Sequence, residues 1–329
     1  MVLSSLFKTA ALVSSTLLAS SFPASLGATY AAPQIVHVTH MSGSSAEIST
    51  LGVQVISFYT SHNPDVNVLF MNNDQSAFDG KNPIQGGATA VFPNYGPPKG
   101  HSAPTNGFAR TMVWNFASMV PAPDATKPTY AVFDLTSSDA TMQLWPFAFR
   151  LMYEVHLWPS SLEITFTVIN THTTAISFDL LLQNYFAVRT IRDNNVMISG
   201  LKGYEFLDRI TNKVQIDERD SFGIPIQVDI IHKNVNTDVV AHVKGEQGNR
   251  NFIVQAAATT GDGAHTPAVP STDRTVWNRW NTSTANLADF GDDKYLRTIA
   301  IGSGRVSEME VLYPSLRYAL NQVITVETV

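Results

Sequence analysis

The chain has 329 residues, of which 44% are hydrophobic and 15% are charged, and its formal net charge is −6. This composition is typical of a globular protein, excludes a disordered or coiled-coil chain, and provides no basic surface for nucleic acid. The chain contains no cysteine, which excludes a disulfide framework, a metal–thiolate site and a catalytic thiol.

The N-terminal segment has the features of a secretory signal peptide. Lys8 supplies the positive charge, residues 10–22 are apolar and small, and residues 23–32 include small residues suited to cleavage. We therefore predict a signal peptide over residues 1–31, a single mature domain over residues 32–329, and a secreted, extracellular protein that has no membrane contact after cleavage. An N-terminal membrane anchor is the alternative, although the apolar run is short for a bilayer span. On the secretory route, Asn281 of Asn281-Thr282-Ser283 is a predicted glycosylation site.

Alternation of apolar and polar residues with a period of two recurs along the rest of the chain and predicts strands. The predicted strands are residues 53–58, 68–70, 151–157, 162–168, 176–188, 224–231, 252–257, 296–301 and 309–316. The strands over 151–157 and 162–168 form a predicted hairpin around Pro159-Ser160-Ser161. Helical periodicity is scarce, with one possible turn over residues 284–290. Many short strands without an internal repeat predict an all-β protein, a large antiparallel β-sandwich in one domain.

The segment from Ile84 to Arg110 is the most distinctive part of the sequence. It contains Gly86-Gly87, Phe92-Pro93, Asn94-Tyr95-Gly96 and Asn106-Gly107-Phe108-Ala109-Arg110 around a loop rich in proline and glycine. Adjacent glycines allow positive φ angles or a close approach of the backbone to a neighbour. Long irregular loops between apolar runs often carry binding sites, although a strand–loop–strand corner would give the same pattern.

The residues of this segment resemble the aldose 1-epimerase (galactose mutarotase-like) superfamily, and in particular its glucose-6-phosphate 1-epimerase-like branch. The generic pattern of that branch is Arg-Gly-Gly-Ile-Pro, Phe-Pro, Phe-Gly and His-Gly-Phe-Ala-Arg. Further matching segments follow in the family's order between Gly43 and Tyr318: Leu69-Phe70, Phe78-Asp79-Gly80, Leu144-Trp145-Pro146-Phe147, Gln183-Asn184-Tyr185-Phe186, Gly200-Leu201-Lys202-Gly203-Tyr204, Leu207-Asp208, Val276-Trp277-Asn278-Arg279-Trp280 and Ala288-Asp289-Phe290. The resemblance implies an antiparallel β-supersandwich with a sugar cleft on one sheet, and mutarotation without a cofactor or a metal.

The resemblance also implies where the catalytic residues would stand. In the family, a His protonates the ring oxygen of the sugar and a Glu removes the proton of the anomeric hydroxyl, so that the ring opens and closes on its other face. The acid His corresponds to Gln183, because Tyr185-Phe186 fixes the register, and the base Glu corresponds to Gly302. Neither residue transfers a proton near neutral pH. Asp208 is an alternative base, or else it orients a sugar hydroxyl or caps a turn.

The binding positions implied by the resemblance are partly changed and partly retained. Gln85 stands where the family has Arg, Asn106 stands where it has a second His, and the retained positions are Arg110, Asp208, Trp277 and Asn278. His101 is a further possible proton-transfer group or a solvated loop residue. The aromatic residues Trp277, Trp280, Phe290 and Tyr295 would either pack in the core or present a face for stacking a sugar ring.

The loss of Arg at Gln85 removes a bidentate partner for an anion, which favours an unphosphorylated sugar. Three functions follow from these patterns. The first is a secreted aldose 1-epimerase, an isomerase that interconverts the anomers of free aldoses such as glucose or galactose. The second is a catalytically weak carbohydrate-binding relative. The third is a secreted effector that acts through its surface on an extracellular protein partner.

Overall fold

The computed structural model describes residues 32–72, 83–245, 248–280 and 294–329. The predicted signal peptide, the segments Phe78-Asp79-Gly80 and Ala288-Asp289-Phe290, the helical turn over 284–290 and the glycosylation site Asn281 lie outside the described residues. Ala32–Val329 forms one compact unit. In the described part of the chain, no helix combines the length and apolar character needed to cross a membrane.

The described residues form nineteen strands and one short α-helix, α1 (Asp139–Leu144). The first ten strands are β1 (Ile35–Thr39), β2 (Ser45–Ser49), β3 (Gln54–Tyr59), β4 (Ala88–Val91), β5 (Asn115–Val120), β6 (Thr129–Thr136), β7 (Phe149–Leu157), β8 (Ser161–Asn170), β9 (Ile176–Ala187) and β10 (Val196–Ser199). The others are β11 (Glu205–Asp208), β12 (Lys213–Ile216), β13 (Ser221–Phe222), β14 (Val228–His232), β15 (Val239–Val243), β16 (Arg250–Gly261), β17 (Asp273–Asn278), β18 (Thr298–Leu312) and β19 (Arg317–Thr328).

The strands form two antiparallel sheets, which confirms the all-β class and the sandwich architecture. The first sheet has ten strands in the order β1-β2-β3-β4-β9-β18-β17-β14-β11-β12, and the second has nine in the order β13-β10-β15-β16-β19-β8-β7-β6-β5. The hairpin predicted around Pro159 is present as β7 and β8, whose residues alternate between buried and half-buried positions. Such alternation is expected when one face of each sheet packs in the core and the other faces outward.

The two sheets pack on each other through an apolar core that also contains a buried polar contact between them. Asn184 of β9 and Gln322 of β19 are fully buried and exchange two amide hydrogen bonds, each of 3.0 Å. This contact establishes that Asn184 lies on the inner face of the ten-stranded sheet. Its sequence neighbours Gln183 and Tyr185 therefore lie on the outer face, because successive side chains of a strand point to opposite sides.

Several elements differ from the sequence prediction: the strand predicted over residues 68–70 forms only an isolated bridge between Leu69 and Phe186, and strands such as β1, β2 and β19 were not predicted. The predicted strands over 296–301 and 309–316 are one strand, β18, whose pairing with β9 is irregular between Arg305 and Glu310. The strand predicted over 224–231 begins only at Val228. Helix α1 was not predicted, because six residues are too few to reveal a helical period, although Ser138 and Thr141 form a capping box at its start.

Candidate functional site

Gln183 and Gly302, which the resemblance predicts to stand at the family's acid and base positions, lie opposite each other in the ten-stranded sheet. Gln183 of β9 pairs with Gly302 of β18, and Gly302 pairs in turn with Thr275 of β17. Directly opposed residues of neighbouring strands point to the same face. The three residues therefore form one row across the outer face, although 119 positions separate Gln183 from Gly302 in the sequence (302 − 183).

The contacts within this row leave no proton-transfer group and little space. The Thr275 hydroxyl donates to Oε1 of Gln183 over 2.9 Å, and the Gln183 side chain is buried. A Cβ atom added at Gly302 would lie 2.5 Å from Oγ1 of Thr275, 2.6 Å from Oε1 of Gln183 and 2.9 Å from Cδ1 of Leu181. The neighbouring side chains thus occupy the volume into which a residue at position 302 would project.

An apolar cluster lies beside this row on the same face. Val91, Leu181, Ile231 and Val306 are buried there, and Tyr95 of the loop after β4 packs on them. Burial raises the pKa of Tyr95, and the nearby Asp229 raises it further. In the resemblance, Tyr95 stands at the first position of the Phe-Gly pair of the family pattern, so its phenol places a hydroxyl where that pattern has none.

The next row toward the end of β9 contains aromatic and charged side chains. Tyr185 pairs with Ala300, Ala300 with Trp277, and Trp277 with Asp229. The rings of Tyr185 and Trp277 meet edge to face, with centroids 6.0 Å apart. Arg110 is an electrostatic neighbour of Tyr185, and burial lowers the pKa of Arg110. This row presents an aromatic surface flanked by a cation and a carboxylate, the combination suited to a neutral polyhydroxylated ligand.

Arg209 follows β11 and reaches the same row. Its guanidinium lies 3.3 Å from Oδ1 of Asp229 and 4.5 Å above the centre of the Tyr95 ring. Burial raises the pKa of Asp229, and the opposing effect of Arg209 is smaller. The sequence analysis did not identify Tyr95, Arg209 or Asp229 as site residues. Tyr95 stands in a family-like segment to which no binding role was assigned, no quoted motif contains Arg209 or Asp229, and only the fold brings the three together.

The glycines of the segment from Ile84 to Arg110 have the structural role expected of them. Gly86 and Gly87 have φ angles of +102° and +64°, and a Cβ atom would lie 2.3 Å from the Phe70 carbonyl oxygen at Gly86 and 2.2 Å from that of Val55 at Gly87. Only glycine combines positive φ with such a close approach of two backbones without strain. These residues therefore bring the loop against β3 and fix its course toward the outer face.

The two substituted binding positions of this segment both have internal partners. The side-chain oxygen of Asn106 accepts a hydrogen bond from the Gly96 amide at 2.7 Å, and the Asn106 amide donates to the Gly96 carbonyl at 2.9 Å. Asn106 therefore closes the loop on itself. Oε1 of Gln85 accepts a long, 3.5 Å hydrogen bond from Asn72, which also accepts a hydrogen bond from Lys294.

The structure places two predicted binding residues away from the outer face. Asn278 is fully buried, and its amide donates to the carbonyls of Tyr295 and Thr298, each at 2.8 Å, while its oxygen accepts from the Trp280 amide. All of these partners are backbone groups, so Asn278 fastens the ends of β17 and β18. The expectation that it contacts a sugar is corrected accordingly.

For Asp208 the structure shows the turn-capping alternative rather than a base or a sugar contact. Asp208 pairs with Ile230 and stands two residues after Phe206 on β11, so it shares a face with Phe206. The Phe206 ring belongs to the core, and Asp208 and Phe206 therefore lie on the inner face of the sheet. Oδ1 of Asp208 accepts hydrogen bonds from the amides of Ile210 and Thr211 at 2.9 and 3.1 Å, which is the geometry of a capped turn. Burial tends to raise the pKa of Asp208, but the hydrogen bonds from Thr211 and Ile210 outweigh it and hold the pKa below its usual value.

The remaining candidates divide between the loop and the core. His101 accepts a hydrogen bond from the Ala103 amide, and burial lowers the pKa of His101 despite the nearby Asp179. Trp280 and Tyr295 pack together at 5.5 Å against the core, whereas Trp277 contacts Tyr185 on the outer face, so the predicted aromatic group is split. Phe290 lies outside the described residues. Among the residues that the structure does describe, no group of His, Asp or Glu is arranged to hold a metal ion.

Comparisons with known proteins agree with this architecture. The sequence model of the family "Aldose 1-epimerase" matches residues 34–324. A candidate glucose-6-phosphate 1-epimerase of Cenchrus ciliaris is 25% identical over 275 residues, which cover 82% of this chain and 77% of the relative. The crystal structure of a candidate mutarotase from Salmonella typhimurium is similar with a TM-score of 0.74 at 22% identity, and 90% of each chain is covered. A galactose 1-epimerase from Lactobacillus acidophilus shares the fold with a TM-score of 0.63 at 11% identity, over 89% of this chain and 94% of that one.

Proposed function

Because the chain belongs to the aldose 1-epimerase family, we propose that it binds a free, unphosphorylated aldose on the outer face of its ten-stranded sheet. The observation that carries this proposal is the row formed by Gln183, Gly302 and Thr275. The two family positions lie opposite each other beside a retained aromatic row, yet the residues at them are an amide and a glycine. In this proposal, the outer face keeps an aromatic surface for a sugar, whereas an amide and a glycine cannot perform the proton transfers of the family's acid and base.

The preference for an unphosphorylated sugar is supported by the charges around the site. Gln85 is neutral where the family pattern has Arg, and Asp229 adds a carboxylate that would repel a phosphate. One observation favours the opposite substrate. Lys294 hydrogen-bonds Asn72, which also contacts Gln85, so a cation stands near the altered position. The relatives from Cenchrus ciliaris and Escherichia coli are named candidate glucose-6-phosphate 1-epimerases.

Calorimetric titration with glucose, galactose and glucose 6-phosphate tests the ligand. We expect glucose or galactose to bind at least tenfold more tightly than glucose 6-phosphate. Tighter binding of glucose 6-phosphate would contradict the proposal and would point to Lys294 as the phosphate contact. A Lys294→Gln variant distinguishes the two cases, because it should leave the affinity for glucose unchanged and weaken only the binding of the phosphorylated sugar.

A second candidate function, the interconversion of sugar anomers, is favoured by one specific observation. Asp229 is a half-enclosed carboxylate on the outer face whose pKa is raised by burial, and a base of this kind is suited to accept a proton from an anomeric hydroxyl. Polarimetry of freshly dissolved α-D-glucose measures this activity. A rate equal to that of buffer at micromolar protein would leave binding as the function, and a faster rate would establish turnover by groups other than Gln183 and Gly302.

We further propose that the protein is secreted after removal of residues 1–31 and glycosylated at Asn281. An extracellular protein encounters free aldoses rather than sugar phosphates, which agrees with the proposed ligand. Mass spectrometry of protein secreted by a eukaryotic host should give an N-terminus near residue 32, and glycosidase treatment should reduce the mass of the wild-type protein but not that of an Asn281→Gln variant. Protein retained in the cell with an intact N-terminus would contradict secretion.

A further inference from the structure

We infer that β12, at one edge of the ten-stranded sheet, is an interface for a second copy of this chain. The two copies of β12 pair antiparallel about a twofold axis at Gln215 and join the two ten-stranded sheets into one. This inference concerns the edge of the sheet and does not depend on which ligand the outer face binds.

The edge formed by β12 is open and apolar. No described strand pairs with its free side. All four of its residues are exposed, and the side chains of Val214 and Ile216 are 53% and 56% exposed. An unpaired edge strand presents its backbone amides and carbonyls to another extended chain, and an apolar edge without a protective feature favours such pairing.

The other three edges of the two sheets each have a feature that hinders pairing. Strand β13 has only two residues. Strand β5 is apolar, but its pairing with β6 is irregular between Phe116 and Ser118, and Pro121 follows it. Strand β1 carries His37, which contacts Glu47 of β2. Short strands, bulges, prolines and charged side chains are the usual protections of an edge, and within β12 only Lys213, at its first position, is of this kind.

The backbone groups at the free edge follow from the hydrogen bonds between β11 and β12. The amide of Asp217, the residue after β12, donates to the Tyr204 carbonyl at 2.9 Å. Residues of an antiparallel strand bond alternately to one side and to the other, so every second residue back from Asp217 also bonds to β11. The amides and carbonyls of Val214 and Ile216 consequently point to the free edge.

A second copy of β12 fits these groups in a self-complementary register. Val214 lies opposite Ile216 of the second copy, each pair exchanges both of its backbone hydrogen bonds, and Gln215 faces its own equivalent on the axis. The apolar side chains of both copies then share one face and contact each other across the axis. Lys213 lies opposite position 217 of the second copy, beside the exposed Glu218, so that the charges at the two ends of the strand are complementary.

The size of this interface predicts a weak dimer. Only a four-residue strand of each copy takes part in the pairing. We expect a dissociation constant on the order of 10–100 μM, because stable complexes bury at least roughly 1,200 Å². The axis is perpendicular to the sheet, so both outer faces lie on the same side of the joined sheet.

Sedimentation velocity of the full mature chain, from the low micromolar range to several hundred micromolar, tests whether the dimer forms. The double variant Val214→Lys with Ile216→Lys places like charges opposite each other and should be monomeric at every concentration. Val269→Lys is the matched control, because Val269 is 73% exposed outside β12, and this variant should associate as the wild type does. A monomeric wild type throughout the range, or a dimer that the double variant leaves intact, would overturn the inference.

A single introduced thiol tests the register, since the chain contains no cysteine. Gln215→Cys should give a disulfide-linked dimer under mild oxidation, because facing residues of a non-hydrogen-bonded antiparallel pair have Cα atoms about 4.5 Å apart, within the span of a disulfide. Lys213→Cys is the control, because the axis separates the two copies of this exposed position by roughly 13 Å along the strands.

The comparison of the two thiol variants decides between this pairing and any other. Rapid cross-linking of Gln215→Cys with little cross-linking of Lys213→Cys supports the twofold axis at Gln215. Equal cross-linking of the two variants, or faster cross-linking of Lys213→Cys, would overturn it. The melting temperature of each reduced variant, compared with that of the wild type, verifies that the variants are folded.

Discussion

Oε1 of Gln183 stands 2.6 Å from the point where a side chain at Gly302 would begin, because the two residues are directly opposed on β9 and β18. In the family pattern these positions hold a His and a Glu. Here the amide of Gln183 is fixed by Thr275 and folds over the glycine. The packing at position 302 therefore depends on the residue at position 183, and the two positions are coupled through direct contact.

We predict that Gly302→Ala destabilises the protein. Alanine in a strand normally gains roughly 0.5–1 kcal/mol over glycine. At position 302 its Cβ would lie 2.5 Å from Oγ1 of Thr275, and such overpacking costs about 1–3 kcal/mol. Denaturant unfolding measures the difference. The loss of unfolding free energy should be smaller when the same substitution is made in a Thr275→Ala background. A Gly302→Ala variant as stable as the wild type would contradict tight packing of the row formed by Gln183, Gly302 and Thr275.

We predict that the double substitution Gln183→His and Gly302→Glu raises the rate of anomer exchange. Each restored proton-transfer group contributes roughly 10²–10⁴-fold when it is correctly placed. The histidine removes the amide that blocks position 302, so the double variant should fold better than Gly302→Glu alone. Polarimetry of α-D-glucose gives the rate, and Gln183→Asn with Gly302→Gln is the non-ionisable control. A folded double variant without any gain would contradict the assignment of the two positions.

The sequence predicts the architecture because strand alternation is a local pattern, whereas Gln183 and Gly302 were singled out by the resemblance alone and Thr275, the third residue of their row, was not predicted. Tyr185-Phe186 fixes the register of β9 and hence the position of Gln183. Alternation within β7 and β8 predicts their hairpin. These signals require only neighbouring residues and a known period, and the antiparallel sandwich follows from them.

The errors arise where a motif cannot tell one face of a strand from the other. Asp208 and Asn278 stand in family-like segments, yet both lie on the face opposite to Gln183, where Asn278 is buried and Asp208 caps a turn, because a shift of one residue reverses the face. Asp229 was missed for the complementary reason. It has no motif, and its neighbour Trp277 is brought to it only by the pairing of β14 with β17, which depends on the whole sheet. Long-range register is not encoded in a short pattern.

We predict that the buried amide pair between the sheets is a stability determinant. Asn184→Leu would leave the Gln322 amide and the Ile301 carbonyl without the partners that Asn184 now supplies. Each buried polar group left unsatisfied costs about 1–3 kcal/mol. The double variant Asn184→Leu with Gln322→Leu should recover a large part of this loss, since both amides are then absent. Chemical unfolding of the three variants measures the coupling, and additive losses would contradict a direct interaction.

We predict that the protein loses stability as the pH falls below about 6.5, through His232. This side chain is fully buried, and its Nε2 lies 2.9 Å from Oδ2 of Asp217, which also binds Arg219. Burial lowers the pKa of His232 below the ordinary histidine value of about 6.5, despite the opposing effect of Asp217. A second proton would have to sit on Nδ1, which has no hydrogen-bond partner among the described residues.

The direction of this pH dependence of stability follows from the lowered pKa of His232. With a folded-state pKa below the unfolded value, the unfolded chain binds more protons, so stability is retained above pH 6.5 and declines as the pH falls toward the folded-state pKa. The slope reaches at most about 1.4 kcal/mol per pH unit. His232→Gln, which can still donate to Asp217, should flatten the decline in melting temperature between pH 6.5 and 5, whereas substitution of the exposed His265 by Gln should not. Identical slopes in the wild type and His232→Gln would exclude His232 as the titrating group.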